Sequence, residues 1–259
     1  RHLAVVDRRA RALRDARHRG RLRAVAVRLR DRDDPVRQDA AALPAKLSRS
    51  WLLVNAARPE DFAPALASEA DSVIFDLEAA VPEEHKDAAR QHVVDALSGG
   101  MTAWVRTSAT STDHWQRDLE ALAGLDGVRG VVLAETEEPE QVTFTAMRLR
   151  AGTPVIALLE SALGIENATA VAKAPGTFRL AFGVNDFRKD VGVGEDPLAM
   201  AYARSRMVIA SRVGGLPGPI DGPTPGASGE QLDEACRVTQ SMGMTGKLTL
   251  DPAQTEAIN

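Results

Sequence analysis

The chain has 259 residues, of which 44% are hydrophobic and 26% are charged, a globular composition that allows one large domain. The single cysteine excludes an intrachain disulfide, and no apolar run is long enough to span a membrane, so we expect a cytoplasmic protein without a membrane partner. The net charge of −4 is the balance of two unlike segments, because residues 1–50 carry a net charge of +9 and residues 51–259 a net charge of −13.

Residues 1–47 are predicted to form an arginine-rich N-terminal arm, followed by a domain over residues 48–259. The arginines that dominate the first half of the arm are Arg8, Arg9, Arg11, Arg14, Arg17, Arg19, Arg21 and Arg23. Such an arm could contact nucleic acid or another anionic surface. It contains no aromatic residue on which bases could stack, so we do not expect nucleic acid as a partner and favour an arm that lies on the acidic body.

Short apolar runs alternate with helical patterns from Ser50 onward. Eight of these runs predict strands: Trp51–Asn55, Ser72–Asp76, Ala103–Arg106, Gly130–Leu133, Pro154–Leu159, Arg179–Phe182, Pro219–Asp221 and Lys247–Leu250. The alternation predicts a parallel sheet with helices outside it, and the number eight favours a TIM-like (β/α)8 barrel over an open doubly wound sheet. The seventh strand is the weakest of these predictions, because three prolines crowd it.

Several common catalytic motifs are missing from the sequence. It has no glycine-rich dinucleotide or Walker loop after a strand, no Gly-x-Ser-x-Gly and no His-Glu-x-x-His. All five histidines occur at or before His114. The second half of the barrel must therefore transfer protons with carboxylates, lysine, Tyr202 or water.

Two carboxylates follow neighbouring predicted strands. Glu160 ends the apolar run at residues 155–159, and Asp186 follows the run at residues 180–182, one βα unit later. The C-terminal ends of neighbouring barrel strands meet at one rim, where enzymes of this fold carry out their chemistry. Two carboxylate ligands suit Mg²⁺, which fills its other positions with water and substrate.

Other polar residues are predicted on the same rim. Asp76 and Glu78 share one face at the end of the second strand, and Arg106 ends the third, where it could bind a carboxylate or thioester oxygen. Arg58 precedes a predicted helix and could contact a phosphate. Each residue could instead have a structural role. Arg106 could equally be an ion-pair partner of Asp76 or Glu78, and Arg58 could be a solvated surface charge. For Asp221, which ends the seventh predicted strand, a role in the turn before Gly222 is favoured.

These segments together resemble the HpcH/HpaI aldolase superfamily, specifically its citrate lyase beta-subunit-like branch, from about Ser50 onward. The segments that carry the resemblance are Arg49-Ser50-Trp51-Leu52-Leu53-Val54, Arg58-Pro59-Glu60, Asp76-Leu77-Glu78-Ala79-Ala80-Val81, Val105-Arg106, Leu158-Leu159-Glu160-Ser161, Phe182-Gly183-Val184-Asn185-Asp186-Phe187, Ala203-Arg204-Ser205-Arg206, Ile220-Asp221-Gly222-Pro223 and Thr245-Gly246-Lys247-Leu248.

The resemblance implies a magnesium-dependent lyase that breaks or forms carbon–carbon bonds in 3-hydroxyacyl-CoA thioesters such as citryl-, malyl- or citramalyl-CoA. It also implies a homo-oligomer, a trimer or a hexamer, whose partner is a CoA thioester or a 2-oxo acid. By motif, Glu160 and Asp186 would be metal ligands, Arg106 would bind substrate oxygens, Glu78 would be a supporting acid of the catalytic site, and Arg58 would lie near the nucleotide end of the thioester.

The sequence departs from the family pattern at several positions. Ala79 replaces the second acid of Asp-Leu-Glu-Asp, Glu135 replaces the lysine of Leu-Pro-Lys, and Asp251 replaces the histidine of Ile-His-Pro. We also expect no counterpart of the C-terminal lid beyond Asn259. An alternative hypothesis is therefore a catalytically degenerate barrel that binds a metal or a CoA ester as a partner or regulatory subunit.

Overall fold

Eight parallel strands close into a barrel in chain order, and the last strand pairs with the first. The computed structural model describes residues 43–259, so the predicted arm lies outside the described residues except for its last five. The strands are β1 (Ser50–Asn55), β2 (Ser72–Asp76), β3 (Ala103–Thr107), β4 (Val128–Leu133), β5 (Val155–Leu159), β6 (Thr177–Phe182), β7 (Ile220–Asp221) and β8 (Gly246–Thr249). The predicted (β/α)8 barrel is confirmed, and each predicted strand overlaps an observed one.

Helices surround the barrel. Within residues 43–259 they are α1 (Phe62–Leu66), α2 (Lys86–Ser98), α3 (Asp113–Leu122), α4 (Pro139–Arg148), α5 (Ala162–Glu166), α6 (Ala168–Lys173), α7 (Val184–Val191), α8 (Ala201–Gly214), α9 (Gly229–Ser241) and α10 (Thr255–Ile258). Short 3-10 turns begin at Pro59 and Pro197, where proline supplies the φ angle that a first helical position needs. No helix in this part of the chain is long and apolar enough to cross a membrane.

Large aromatic side chains fill the interior of the barrel. The rings of Trp51 and Trp104 pack edge to face with centroids 5.3 Å apart, and both side chains are buried. Glycine at position 130 makes room for them, because a Cβ atom there would lie 2.3 Å from the Trp104 ring. A second apolar layer, between the strands and the helices, contains most of the remaining core. The barrel is therefore closed by side chains along its axis, and its polar chemistry is confined to the strand ends.

The seventh strand is the weakest part of the sheet, as the sequence predicted. It has two residues, and its only paired position with β6 is Ala181 with Ile220. Arg179, which is completely buried, reinforces this junction by donating to the carbonyl oxygens of Gly218 (2.6 Å) and Ser48 (2.9 Å) and to the hydroxyl of Thr245 (2.8 Å). These bonds tie the starts of β1, β7 and β8 to β6.

Candidate active site

Glu160 directly follows β5 and is buried, with 7% of its surface exposed. Its Oε1 atom accepts a hydrogen bond of 2.6 Å from the backbone N–H of Glu135. Its other side lies against Gly183, where a Cβ atom would be 2.3 Å from Oε2 of Glu160. Only glycine fits at that point, because a Cβ atom there would also lie 2.4 Å from the Cβ atom of Glu160, and moving the carboxylate alone would not relieve that contact. Burial, opposed by the hydrogen bond from Glu135, raises the pKa of the Glu160 carboxyl to about 8.

Asp186 lies in the first turn of α7, four residues beyond the end of β6. Asp186 thus follows the strand, as the sequence predicted, but it lies on a helix that already begins at Val184. The carboxylate is half exposed and accepts a hydrogen bond of 2.8 Å from Lys189 on the same helix. Its negative charge contributes to the raised pKa of Glu160, so the two carboxylates interact electrostatically on one rim.

Arg106, at the end of β3, is clamped between two acids from the end of β2. Its Nε and Nη2 atoms donate to the two oxygens of Asp76 at 2.7 and 2.6 Å, and Nη1 lies 3.1 Å from Glu78 Oε2. Burial alone would lower the pKa of Arg106, but the charges of Asp76 and Glu78 outweigh it and raise that pKa above its ordinary value. The two acids that the sequence placed on one face do meet the same guanidinium group.

Glu78 is the more exposed of the two acids that face Arg106. Burial raises the pKa of its carboxyl, and the guanidinium of Arg106 opposes that shift. Asp76 also accepts hydrogen bonds from the backbone N–H groups of Glu78 (2.9 Å) and Ala80 (3.3 Å), while Lys86 donates to the carbonyl of Glu78. The loop after β2 is therefore held in place from both ends.

The two other predicted candidates lie in different surroundings. Arg58 is 61% exposed and pairs with its neighbours Glu60 (3.5 Å) and Asp61 (3.0 Å). Asp221 is completely buried and accepts hydrogen bonds from Arg204 at 3.0 Å, from the hydroxyl of Thr239 and from the N–H of Gly222. The role in the turn before Gly222, which the sequence favoured, agrees with these contacts.

One contrast separates Glu160 from the other buried acids. Four carboxylates are buried among the described residues, and three of them have an arginine partner. These pairs are Asp76 with Arg106 (2.6 Å), Asp118 with Arg90 (2.8 Å) and Asp221 with Arg204 (3.0 Å). Glu160 forms no ion pair with any residue in this part of the chain. The charge of Arg106 acts on Glu160 without forming an ion pair with it, and burial still raises the pKa of the Glu160 carboxyl, so a cation bound beside it would stabilise its charged form.

The donor set fits a magnesium ion. In residues 43–259 no three Asp, Glu, His or Cys side chains converge as a complete metal cage. Mg²⁺ does not require one, because it usually takes one or two carboxylates and keeps several waters or substrate oxygens. Glu160 and Asp186 would offer two hard oxygen ligands to such an ion, and Arg106, whose charge acts on Glu160, forms its ion pairs with Asp76 and Glu78 instead.

Sequence reasoning missed two features of this site. The N–H of Glu135 holds Glu160, and Gly183 makes room for it. A backbone donor leaves no signal in residue type, whereas Gly183 could have been noticed as the glycine that directly follows β6.

A closed barrel of eight parallel strands with acids and an arginine at its C-terminal rim has the architecture of the (β/α)8 enzymes, whose chemistry takes place at that rim. The chain belongs to the HpcH/HpaI aldolase/citrate lyase family, whose model matches residues 49–252. This confirms the family that the sequence motifs indicated.

The curated relatives are similar over most of the chain. A citrate lyase subunit beta-like protein of Deinococcus radiodurans is 30% identical over 224 residues, which cover 82% of this chain and 78% of the relative. A (3S)-malyl-CoA thioesterase of Cereibacter sphaeroides is 30% identical over 220 residues, covering 82% and 75%. Relatives with these different names show that the family alone does not fix one reaction.

Solved structures agree with the fold. Protein CitE of Mycobacterium tuberculosis in complex with magnesium and pyruvate has 30% identity and a TM-score of 0.74, covering 83% of this chain and 90% of that one. The same protein in complex with magnesium, acetoacetate and coenzyme A has a TM-score of 0.72 and 30% identity, covering 82% and 80%. The magnesium cofactor expected from the sequence is the ion bound in these neighbours.

Proposed function

We propose that this protein is a magnesium-dependent carbon–carbon lyase of the retro-aldol or Claisen type, acting on a 3-hydroxyacyl-CoA thioester such as citryl-, malyl- or citramalyl-CoA. The observation that carries the proposal is Glu160, a buried rim carboxylate that forms no ion pair within residues 43–259 and whose pKa is raised by burial and by the charge of Asp186. The magnesium and coenzyme A complexes of the structural neighbours support the same site chemistry.

Each residue has a role in this reaction. Glu160 and Asp186 hold the magnesium ion, which supplies a Lewis acid for the hydroxyl and carboxylate oxygens of the substrate. Arg106 keeps N–H groups that Asp76 does not use, and it donates them to the substrate oxygen on which negative charge develops. Glu78 supports Arg106 from the other side.

The bond changes in the cleavage direction are balanced. The substrate hydroxyl loses its proton and becomes a carbonyl, the adjacent carbon–carbon bond breaks, and the electron pair leaves with the thioester fragment as an enolate, which is then protonated. Arg58 contacts the phosphates of coenzyme A at the edge of the rim, because it is exposed and needs only to exchange the surface partners Glu60 and Asp61.

The second candidate is a barrel that binds a metal or a CoA ester without cleaving it. Asp251, one of the departures from the expected family pattern, caps a short 3-10 turn by accepting a hydrogen bond of 2.8 Å from the N–H of Ala253. Ala79 cannot act as an acid, and the negative charge of the Glu135 side chain at the rim disfavours an anionic substrate. This candidate predicts calorimetric binding of CoA esters without any product.

Product analysis with citryl-, malyl- and citramalyl-CoA and Mg²⁺ separates the candidates. A lyase yields a shorter acyl-CoA and a carbonyl product, a thioesterase yields free CoA and the intact hydroxy acid, and a binder yields neither. Glu160→Gln should abolish turnover, whereas Glu234→Gln, on the exposed face of α9, should leave it unchanged. Unchanged turnover in the Glu160 variant would refute the proposed metal ligand.

The remaining parts of the proposal concern the setting of the enzyme. We propose a homotrimer or hexamer, a cytoplasmic location, and a CoA thioester or a 2-oxo acid as the small-molecule partner. Neighbouring structures contain oxaloacetate, pyruvate and acetoacetate, which are all small oxo acids. The predicted arm over residues 1–47 has no assigned role.

A further inference from the structure

Glu135 has an unusual backbone conformation at the end of the barrel. It is the only residue other than glycine with a positive φ angle (46°) among the described residues. A left-handed conformation is costly for a residue with a Cβ atom, and residues held in it often lie at functional sites. The residue follows β4 by two positions and its side chain is exposed.

Hydrogen bonds on both sides maintain this turn. The hydroxyl of Thr136 donates to the carbonyl of Leu133 (2.9 Å), and the N–H of Thr136 donates to the carbonyl of Leu158 in β5 (2.9 Å). Thr136 is completely buried, and Gly164 of α5 packs so closely that a Cβ atom there would lie 2.6 Å from the Thr136 carbonyl oxygen. The surrounding structure therefore keeps the left-handed conformation in place.

The result of the turn is that the N–H of Glu135 faces Glu160. That N–H donates the 2.6 Å hydrogen bond to Oε1, while Gly183 borders the same carboxylate at Oε2. The two contacts fix the position and the plane of the carboxyl group before any cation arrives. Fixing a ligand in advance lowers the conformational cost of binding.

We infer that Glu135 is a positioning residue that acts through its backbone N–H, and not through its carboxylate, to hold Glu160 in the orientation that binds the divalent cation. The inference rests on the metal site of the proposed function. The exposed carboxylate of Glu135 has no part in this role, because the contribution of the residue comes from its main chain.

The test compares variants that separate the side-chain charge from the backbone conformation. Glu135→Gln removes the charge alone. Glu135→Gly and Glu135→Ala both remove the carboxylate, but only glycine adopts a positive φ angle without strain. Binding of MgCl₂ to the full chain is measured by titration calorimetry, and the midpoint of thermal unfolding in metal-free buffer is measured for each variant.

We expect the Gln, Ala and Gly variants all to bind Mg²⁺ within about threefold of the parent protein, because each keeps the backbone N–H, and Gln and Ala carry the same left-handed strain as glutamate. Glu135→Pro, which has no N–H and cannot adopt a positive φ angle, should bind Mg²⁺ at least about tenfold more weakly. Equal loss in Gly and Ala, or a large loss in Gln, would show that the carboxylate matters and would overturn the inference. Unchanged binding in the Pro variant would overturn it as well. If the parent protein does not bind Mg²⁺, both the metal site of the proposed function and this inference are wrong. If the parent protein binds Mg²⁺ but the variants do not behave as expected, only the inference about Glu135 is wrong.

Discussion

Replacing Asp76 with asparagine should destabilise the protein severely. Asp76 is 1% exposed and accepts four hydrogen bonds, two from Arg106 and one each from the N–H groups of Glu78 and Ala80. Asparagine has one acceptor oxygen, and its NH₂ group would face two of these donors. Loss of one partner from a buried ion pair costs about 3–5 kcal/mol. Two lost hydrogen bonds to a charged group, at about 1.5–3 kcal/mol each, give a similar total.

Urea denaturation in metal-free buffer measures this loss directly. The matched control is Asp126→Asn, because Asp126 forms an ion pair of the same length, 2.6 Å, with Arg150 but is 94% exposed. Solvent and salt weaken such a surface pair, so the control should barely shift the midpoint. The slope of the transition should not change in either variant, since the exposed surface is the same. Equal midpoint shifts in the two variants would refute the argument that Asp76 and Arg106 form a buried pair essential to the rim.

Three further predictions concern Glu160, Gly183 and the junction between β6 and β7. Burial raises the pKa of the metal-free Glu160 carboxyl to about 8, so below that pH Mg²⁺ must displace its proton. Calorimetry should therefore show that the Mg²⁺ affinity rises about tenfold per pH unit below this pKa and levels off above it. An affinity that does not change with pH would contradict a raised pKa of Glu160. Gly183→Ala should weaken Mg²⁺ binding at least about tenfold and lower the free energy of unfolding by about 1–3 kcal/mol, because its Cβ atom would lie 2.4 Å from the Cβ atom of Glu160 and displace that residue; unchanged binding would contradict this. Arg179→Lys should lower the free energy of unfolding by about 2–4 kcal/mol, measured in urea, because lysine cannot reach all three acceptors. An unchanged free energy of unfolding would show that Arg179 does not reinforce the junction between β6 and β7.

The sequence was sufficient to predict the barrel because apolar runs of strand length recur between helix patterns. The same regularity placed Asp76, Glu78 and Arg106 on one rim, since the period of a strand fixes which side chains share a face. The seventh strand was correctly predicted as weak, because proline cannot donate to a neighbouring strand.

Other features depend on packing between segments distant in the chain. The end of β6 at Phe182 was predicted, but the helix that begins at Val184 and carries Asp186 was not, because the local pattern did not distinguish a loop from the first turn of a helix. The role of the Glu135 N–H depends on a turn that Leu158 and Gly164 stabilise from other βα units. Contacts of this kind involve main-chain atoms, which every residue type has, so residue identity alone does not reveal them.

The environment of Glu160 differs from that of the three buried aspartates. Asp76, Asp118 and Asp221 each form an ion pair with an arginine, whereas the charge of Arg106 acts on Glu160 without outweighing the effect of its burial. Were Glu160 only a structural group, an uncharged side chain of similar size would avoid the desolvation cost that raises its pKa. A divalent cation bound to Glu160 would offset that cost with its positive charge. Burial disfavours the ionised Glu160 carboxylate when no cation is bound, and it therefore favours binding of one. Asp186 contributes a second negative charge, which a divalent ion would also neutralise.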